Sequence, residues 1–265
     1  MGIPALLCAV SATSIAQPPP PNAGIIGIAH IAFRVSNLDR EIAFLGKLGY
    51  EEAFAMTNGG KSTEVFIKIN DRQFIELYPQ TDPAQPLGFM HVCYEAGDLN
   101  VLEKYYDSQG LRPSPVRKAA AGNIISSLKD PEGRVTEFIQ YMPGSRHTLD
   151  KGMHLGERRV SVALLGFDMP VRDGAAQKEF YRDLGFEAED ANGNVRLTAS
   201  GAPNLHIELH PMRPGSQPQF LFPVPDARKA AGELKDAGVN ADRDNKLIFV
   251  HDPEGNFFVF LETGL

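Results

Sequence analysis

Ile28 to Phe33 reads IAHIAF, five apolar residues around one histidine, the pattern of a strand buried on both faces. After it, Leu38, Ile42, Leu45 and Leu48 recur at helical spacing. Ser36 or Asn37 is placed to cap that helix, and Gly49 to end it. EVFIKIN and QFIELYP then read as strands. The plan returns in GFMHVCYEAGDLNVLEKYYDSQGLRPS, with Asp98 as cap, Leu99, Leu102 and Tyr106 as stripe, Gly110 as stop, and NIISSLKD and VTEFIQY as later strands. Two weaker copies follow. RVSVALLGFDMPVRDGAAQKEFYRDLGFEAE leads to LHIELHP, and QFLFPVPDARKAAGELKDAGVNAD leads to LIFVHDPEGNFFVFLE. The chain therefore predicts an α+β protein of four β-α-β-β-β modules. Two fall in 25–143 and two in 158–265, with 144–157 as a polar, glycine-containing linker or lid. The turn DPEG, at 130–133 and again at 252–255, is read as a turn device without chemistry.

The histidine in IAHIAF has counterparts. His91 holds the same place in the second module, Glu76 lies in the last strand of the first and Glu137 in the last strand of the second. His30 to Glu76 and His91 to Glu137 are both 46 residues. A lone buried histidine is ordinarily a core residue with satisfied nitrogens. Four titratable groups buried separately would be costly, whereas four converging on one divalent cation neutralise each other. Two imidazoles and two carboxylates suit Zn, Ni, Co, Mn or Fe.

This arrangement resembles the vicinal oxygen chelate superfamily, which includes glyoxalase I, methylmalonyl-CoA epimerase, extradiol dioxygenases and the fosfomycin and bleomycin resistance proteins. The resemblance implies that paired modules form two domains, and that His30, Glu76, His91 and Glu137 hold one metal in the first. In the second domain Leu164 aligns with His30, Glu208 keeps the place of Glu76, Gln219 falls near that of His91 and Val259 that of Glu137, so its site is degenerate. The resemblance further implies a small substrate chelating the metal through vicinal oxygens. Glu76 or Glu137 would detach as the base of a glyoxalase- or epimerase-like isomerase or lyase. An Fe(II) extradiol-type dioxygenase and a non-enzymatic resistance-type binder are the rivals. Strand parity groups Ile28, Ala32 and Arg34 with His30, Phe74 and Tyr78 with Glu76, Phe89 and Cys93 with His91, and Ile139 and Tyr141 with Glu137. Arg34, Tyr78 and Tyr141, with Lys118 and Asn123 from VRKAAAGN, are candidate substrate contacts. Cys93 reads as a small buried hydrophobe, and His147 and His154 as surface histidines of the linker.

With 265 residues, 43% hydrophobic and 22% charged, and a net charge of -7, the chain has no basic patch for nucleic acid and no apolar run of membrane-spanning length. IPALLCAVSATSIA, followed by QPPPPNAG, reads as a signal peptide cut after Ala16 and a proline-rich spacer within 1–24, although no Lys or Arg precedes it. Export to the periplasm or beyond would disfavour glutathione and coenzyme A thioesters as substrates. Cys8 falls in that leader, leaving Cys93 alone and no intramolecular disulfide. The oligomeric state, a homodimer included, is open.

Overall fold

The computed structural model describes residues 24–263, so the expected leader and spacer up to residue 23 lie outside the described residues. The first sheet contains β1 (Ile25–Val35), β2 (Glu51–Asn58), β3 (Lys61–Asn70), β4 (Gln73–Pro79), β5 (Gly88–Ala96), β6 (Arg117–Lys118), β7 (Ile124–Lys129) and β8 (Val135–Gln140). Their spatial order is β2-β3-β4-β1-β5-β8-β7-β6. The second contains β9 (Gly166–Val171), β10 (Glu187–Ala191), β11 (Asn194–Ala199), β12 (Ala202–Pro211), β13 (Gln219–Val224), β14 (Ala241–Asp244), β15 (Leu247–His251) and β16 (Phe257–Glu262). It repeats the order as β10-β11-β12-β9-β13-β16-β15-β14. Each sheet thus joins two modules through an antiparallel central pair, β1 with β5 and β9 with β13.

One helix follows the first strand of each module: α1 (Leu38–Lys47), α2 (Leu99–Ser108), α4 (Gly174–Asp183) and α5 (Ala227–Asp236), with a short α3 (Arg146–Leu149) in the linker. The four module helices begin alike. The side chains of Asn37, Asp98, Asp173 and Asp226 each accept a backbone N–H of the first turn. Gly49 follows α1 with a φ of +84°, and a side chain there would meet the backbone oxygen of Arg158 at 2.2 Å. It both reverses the helix and lets the linker pass.

A single apolar core runs through both sheets, with Phe33 against Phe220 at 5.1 Å between ring centroids. Two smaller clusters line the other face of the first sheet. One is Ala29, Cys93, Ile125 and Ile139; the other is Phe54, Phe66, Phe74 and Ala121. The parity expected along β1 and β5 fails at two residues. Register shifts between Ile28 and His30 and between Ala32 and Phe33 insert extra residues into the pairing. Ile28 and Phe89 consequently pack with the main core, and Ala29 joins Cys93 and Ile139 instead.

The DPEG turns do more than reverse the chain. Glu254 Oε1 accepts the Ser36 N–H at 2.9 Å and Arg40 Nη2 at 2.8 Å, while Glu132 Oε1 accepts the Arg172 N–H at 2.6 Å. Each turn therefore clasps the strand–helix junction of the opposite sheet.

Candidate metal centre

His30 lies on β1, Glu76 on β4, His91 on β5 and Glu137 on β8, which are the four adjacent central strands of the first sheet. The register sets them in two rows on one face. His30 is paired with Cys93, and Cys93 with Glu137; Ala32 is paired with Glu76 and with His91. The small Ala32 side chain leaves the middle of its row open. The equal spacings in sequence thus become convergence in space.

His30 Nε2 stands 3.1 Å from His91 Nε2 and 3.3 Å from Glu137 Oε2, and the His91–Glu137 distance is 3.5 Å. His30 Nδ1 is 3.1 Å from Glu76 Oε1 but out of line for a hydrogen bond, and this buried nitrogen has no other partner. A neutral imidazole has one N–H and cannot serve both carboxylates and a second imidazole. A cation on His30 Nε2 would meet the lone pairs of both imidazoles and of Glu137 at once, and would leave the His30 proton on Nδ1, facing Glu76. Bonds of about 2.1 Å to a first-row metal give ligand-to-ligand edges of roughly 3.0 Å in octahedral and 3.4 Å in tetrahedral geometry. The observed triangle of 3.1, 3.3 and 3.5 Å fits that size. Cys93 Sγ also lies within 4.8 Å of ligand atoms of His30 and Glu137. Burial, then the charges of Glu137 and Glu76, pushes its thiol up, which keeps it protonated.

The carboxyls divide sharply. Burial would raise Glu137, but the hydrogen bonds and charges of His30 and His91 outweigh it and hold this group well below the usual carboxylate range. Glu76 is raised well above that range by burial, then by the charges of Glu64 and Glu137. Burial also raises Glu64 and the Tyr78 phenol. Tyr78 Oη contacts Glu76 Oε2 at 3.0 Å and Glu64 Oε1 more closely still. One phenolic proton cannot be donated to two carboxylates, so one carboxyl of this trio must itself be protonated.

No protein-family model matches the sequence, and no curated protein does. Solved structures do match. The 2,3-dioxygenase LapB from Pseudomonas sp. KL28 superposes with a TM-score of 0.68 at 17% identity, over 91% of this chain and 93% of that one. A catechol 2,3-dioxygenase gives 0.65 at 16% identity, over 90% and 88%. The Mn(II)-bound glyoxalase from Novosphingobium aromaticivorans gives 0.64 at 16%, over 90% and 82%. This is the two-domain vicinal oxygen chelate fold.

Within that fold the second sheet lacks the ligand set. In the first sheet Ala32 pairs with Glu76, and in the second Asp168 pairs with Glu208, so Gly166, not Leu164, stands where His30 does. The cap confirms the correction, because Asn37 and Asp173 lie seven residues after His30 and Gly166. A side chain on Gly166 would strike the backbone oxygen of His206 at 1.5 Å. Gln219 and Val259 occupy the places expected for them, and Glu208 accepts a hydrogen bond from Asn194.

Beside the cluster is a cavity of about 190 Å³, lined by His30, Glu76 and Glu137 together with Tyr78, Asn123 and others. Arg34, Lys118 and Tyr141 do not line it. Arg34 reaches out to the backbone of Pro86 at 3.1 Å, Lys118 is exposed, and Tyr141 donates to the Arg72 carbonyl at 2.9 Å. In place of Lys118 its neighbour Arg117 faces the cavity, as strand alternation requires. His147 is not a surface residue: it is buried, lines the cavity, and has its Nδ1 at 2.9 Å from Asn123 Nδ2. His154 is the more exposed one, paired with Asp150 at 2.5 Å. Glu64 went unnoticed in the sequence because a charged residue early in a strand reads as a solvated end.

Proposed function

We propose that the chain is a metal-dependent enzyme that moves a proton on a small substrate with vicinal oxygens, as an isomerase, epimerase or lyase. The observation that carries this reading is the proton-sharing trio Glu64–Tyr78–Glu76 abutting the His30 imidazole. His30, His91 and Glu137 would hold Zn, Ni, Co, Mn or Fe, with Glu76 at the fourth place. A divalent ion there would supply Lewis acidity to a pair of substrate oxygens. Of the two carboxyls expected as bases, Glu76 is the better suited. With Glu76 ionised beside the cation and the extra proton of the trio on Glu64, Tyr78 links it to a second carboxyl, whereas Glu137 is tied to two imidazoles. Glu76 takes the proton from the carbon next to the carbonyl. Tyr78 and Glu64 accept or return a proton through the same hydrogen bonds, and the proton is delivered back to carbon. The cavity is smaller than the roughly 300–1,000 Å³ of drug-sized sites, which suits a small substrate.

A second reading has its own support. His30, His91 and Glu137 form the mutual contacts of a two-histidine, one-carboxylate set, and several similar structures are extradiol-type dioxygenases by name. That set with open positions suits Fe(II) and oxygen. Small catechols and α-hydroxy ketones, screened without oxygen in D₂O and then in air with an oxygen electrode, distinguish the two. Proton transfer predicts anaerobic exchange of a substrate C–H for deuterium, with any of several metals. Oxygen uptake on a catechol that requires Fe(II) and leaves C–H positions unexchanged overturns it.

A further inference from the structure

The ring of His147 is packed edge-to-face among Phe54, Phe66 and Phe74, at centroid distances of 5.0, 5.0 and 4.8 Å. One of its nitrogens is accounted for. Asn123 Oδ1 accepts the Met142 backbone N–H at 3.0 Å, which orients the amide, so Asn123 Nδ2 is the donor in the 2.9 Å contact to His147 Nδ1. With Nδ1 accepting, the proton of the neutral ring is on Nε2. Nε2 is buried and has no hydrogen-bond partner, in a residue that is 3% exposed and lines the cavity. Leaving such a donor unpaired is costly, so its retention calls for a use.

The surroundings fix the ring in place. The Arg146 backbone N–H donates to the Ala121 carbonyl at 2.8 Å, and Arg146 Nη1 donates to the Ala55 carbonyl at 2.8 Å. At the far end of α3, Lys68 Nζ holds both the carbonyl and the carboxylate of Asp150, at 2.6 and 2.8 Å. Burial, then the charges of His30 and Lys68, lowers the His147 pKa to about 3, so the ring is neutral throughout the working pH range.

We propose that His147 is a substrate-contacting residue, its Nε2–H donating a hydrogen bond to a carbonyl or phenolic oxygen of a single-ring substrate. The ring is inferred from the wall on this side, where Phe66, Ala121 and Ile125 offer apolar surface. The proposal rests on the vicinal-oxygen reading of the site but not on the reaction class. A neutral donor held in one tautomer selects an acceptor and rejects an N–H or ammonium group at that point.

The test uses the zinc-loaded full chain and 4-nitrocatechol, whose absorbance reports binding. Long-range ¹H–¹⁵N spectra of the wild-type protein should show His147 protonated on Nε2, with that resonance shifting when the probe binds. His147→Phe keeps an aromatic ring in the cluster and should weaken binding about five- to tenfold, the loss of one hydrogen bond. A proton on Nδ1, an Nε2 signal indifferent to the probe, or equally tight binding by His147→Phe each overturns the proposal while leaving the vicinal-oxygen reading in place. No binding by the wild-type protein overturns both. If His147→Phe does not fold, the tautomer and the Nε2 response of the wild-type protein decide.

Discussion

Tyr78 has one hydroxyl proton and two carboxyl neighbours, and that accounting separates its role from those of the ligands. Replacing Tyr78 by Phe leaves His30, His91 and Glu137 untouched but puts Glu64 and Glu76 side by side with no phenol between them. The phenol then no longer relays the extra proton between the carboxyls. Turnover, or C–H exchange, should fall by about 10², the lower end of the range for losing acid–base catalysis. Metal content measured by elemental analysis should be unchanged. Unaltered exchange with full metal content would remove Tyr78 from the chemistry. The contrasting variant is His91→Ala, which takes away one corner of the 3.1, 3.3 and 3.5 Å triangle and should lose metal and activity together.

At the scale of elements, periodicity made the strands, the helices and their caps legible, and the equal 46-residue spacings made the four convergent side chains legible. What escaped were departures from periodicity. Register shifts between β1 and β5 turned Ile28 and Phe89 to the core, and matching AFRVSN to GFDMPV by composition put Leu164 where the strand pairing puts Gly166. α3 escaped for a different reason: four residues carry no helical period, and its burial depends on distant partners. The chief of these is Lys68, fully buried and bonded to Asp150 and, at 2.9 Å, to Asp71. Lys68→Met leaves the Asp150 carboxylate with His154 as its remaining charged partner, which should cost less than the about 3–5 kcal/mol of a buried charge left wholly unpaired. The loss should be local first, since α3 is otherwise held by its Arg146 contacts. Hydrogen exchange of residues 145–150 should accelerate well before the β1–β5 pair is affected. Equal acceleration in both would show that Lys68 supports the whole sheet and not the segment bearing His147.

For the whole molecule, two similar sheets carry different side chains at matching positions while sharing one mutual interface. Gly166 leaves no room for a ligand in the second sheet, so the chain should bind about one divalent ion, and Glu208→Gln should leave that stoichiometry at one. The interface itself is quasi-symmetric, with one instructive exception. On one side Gln177 of α4 donates to Asp130 Oδ2 at 2.8 Å. On the other, α1 presents Glu41 to Asp252, a carboxyl facing a carboxyl. Burial, then the charge of Asp252, raises Glu41 to about 9, and one of its oxygens has no partner. A folded-state pKa above the unfolded value of about 4.3 means that the native state binds more protons between those limits. The Glu41 contribution to stability is therefore fully present below about pH 4.3 and is lost as pH rises towards about 9. Glu41→Gln recreates the Gln177–Asp130 arrangement and removes the titration. Its melting temperature should match or slightly differ from wild type near pH 5 and exceed it by a widening margin up to pH 9. A gain of roughly 1 kcal/mol corresponds to about 2–4 °C in a chain of this size. A constant offset across that range would mean that Glu41 stays ionised, and that the two sheets are joined there by something other than a shared proton.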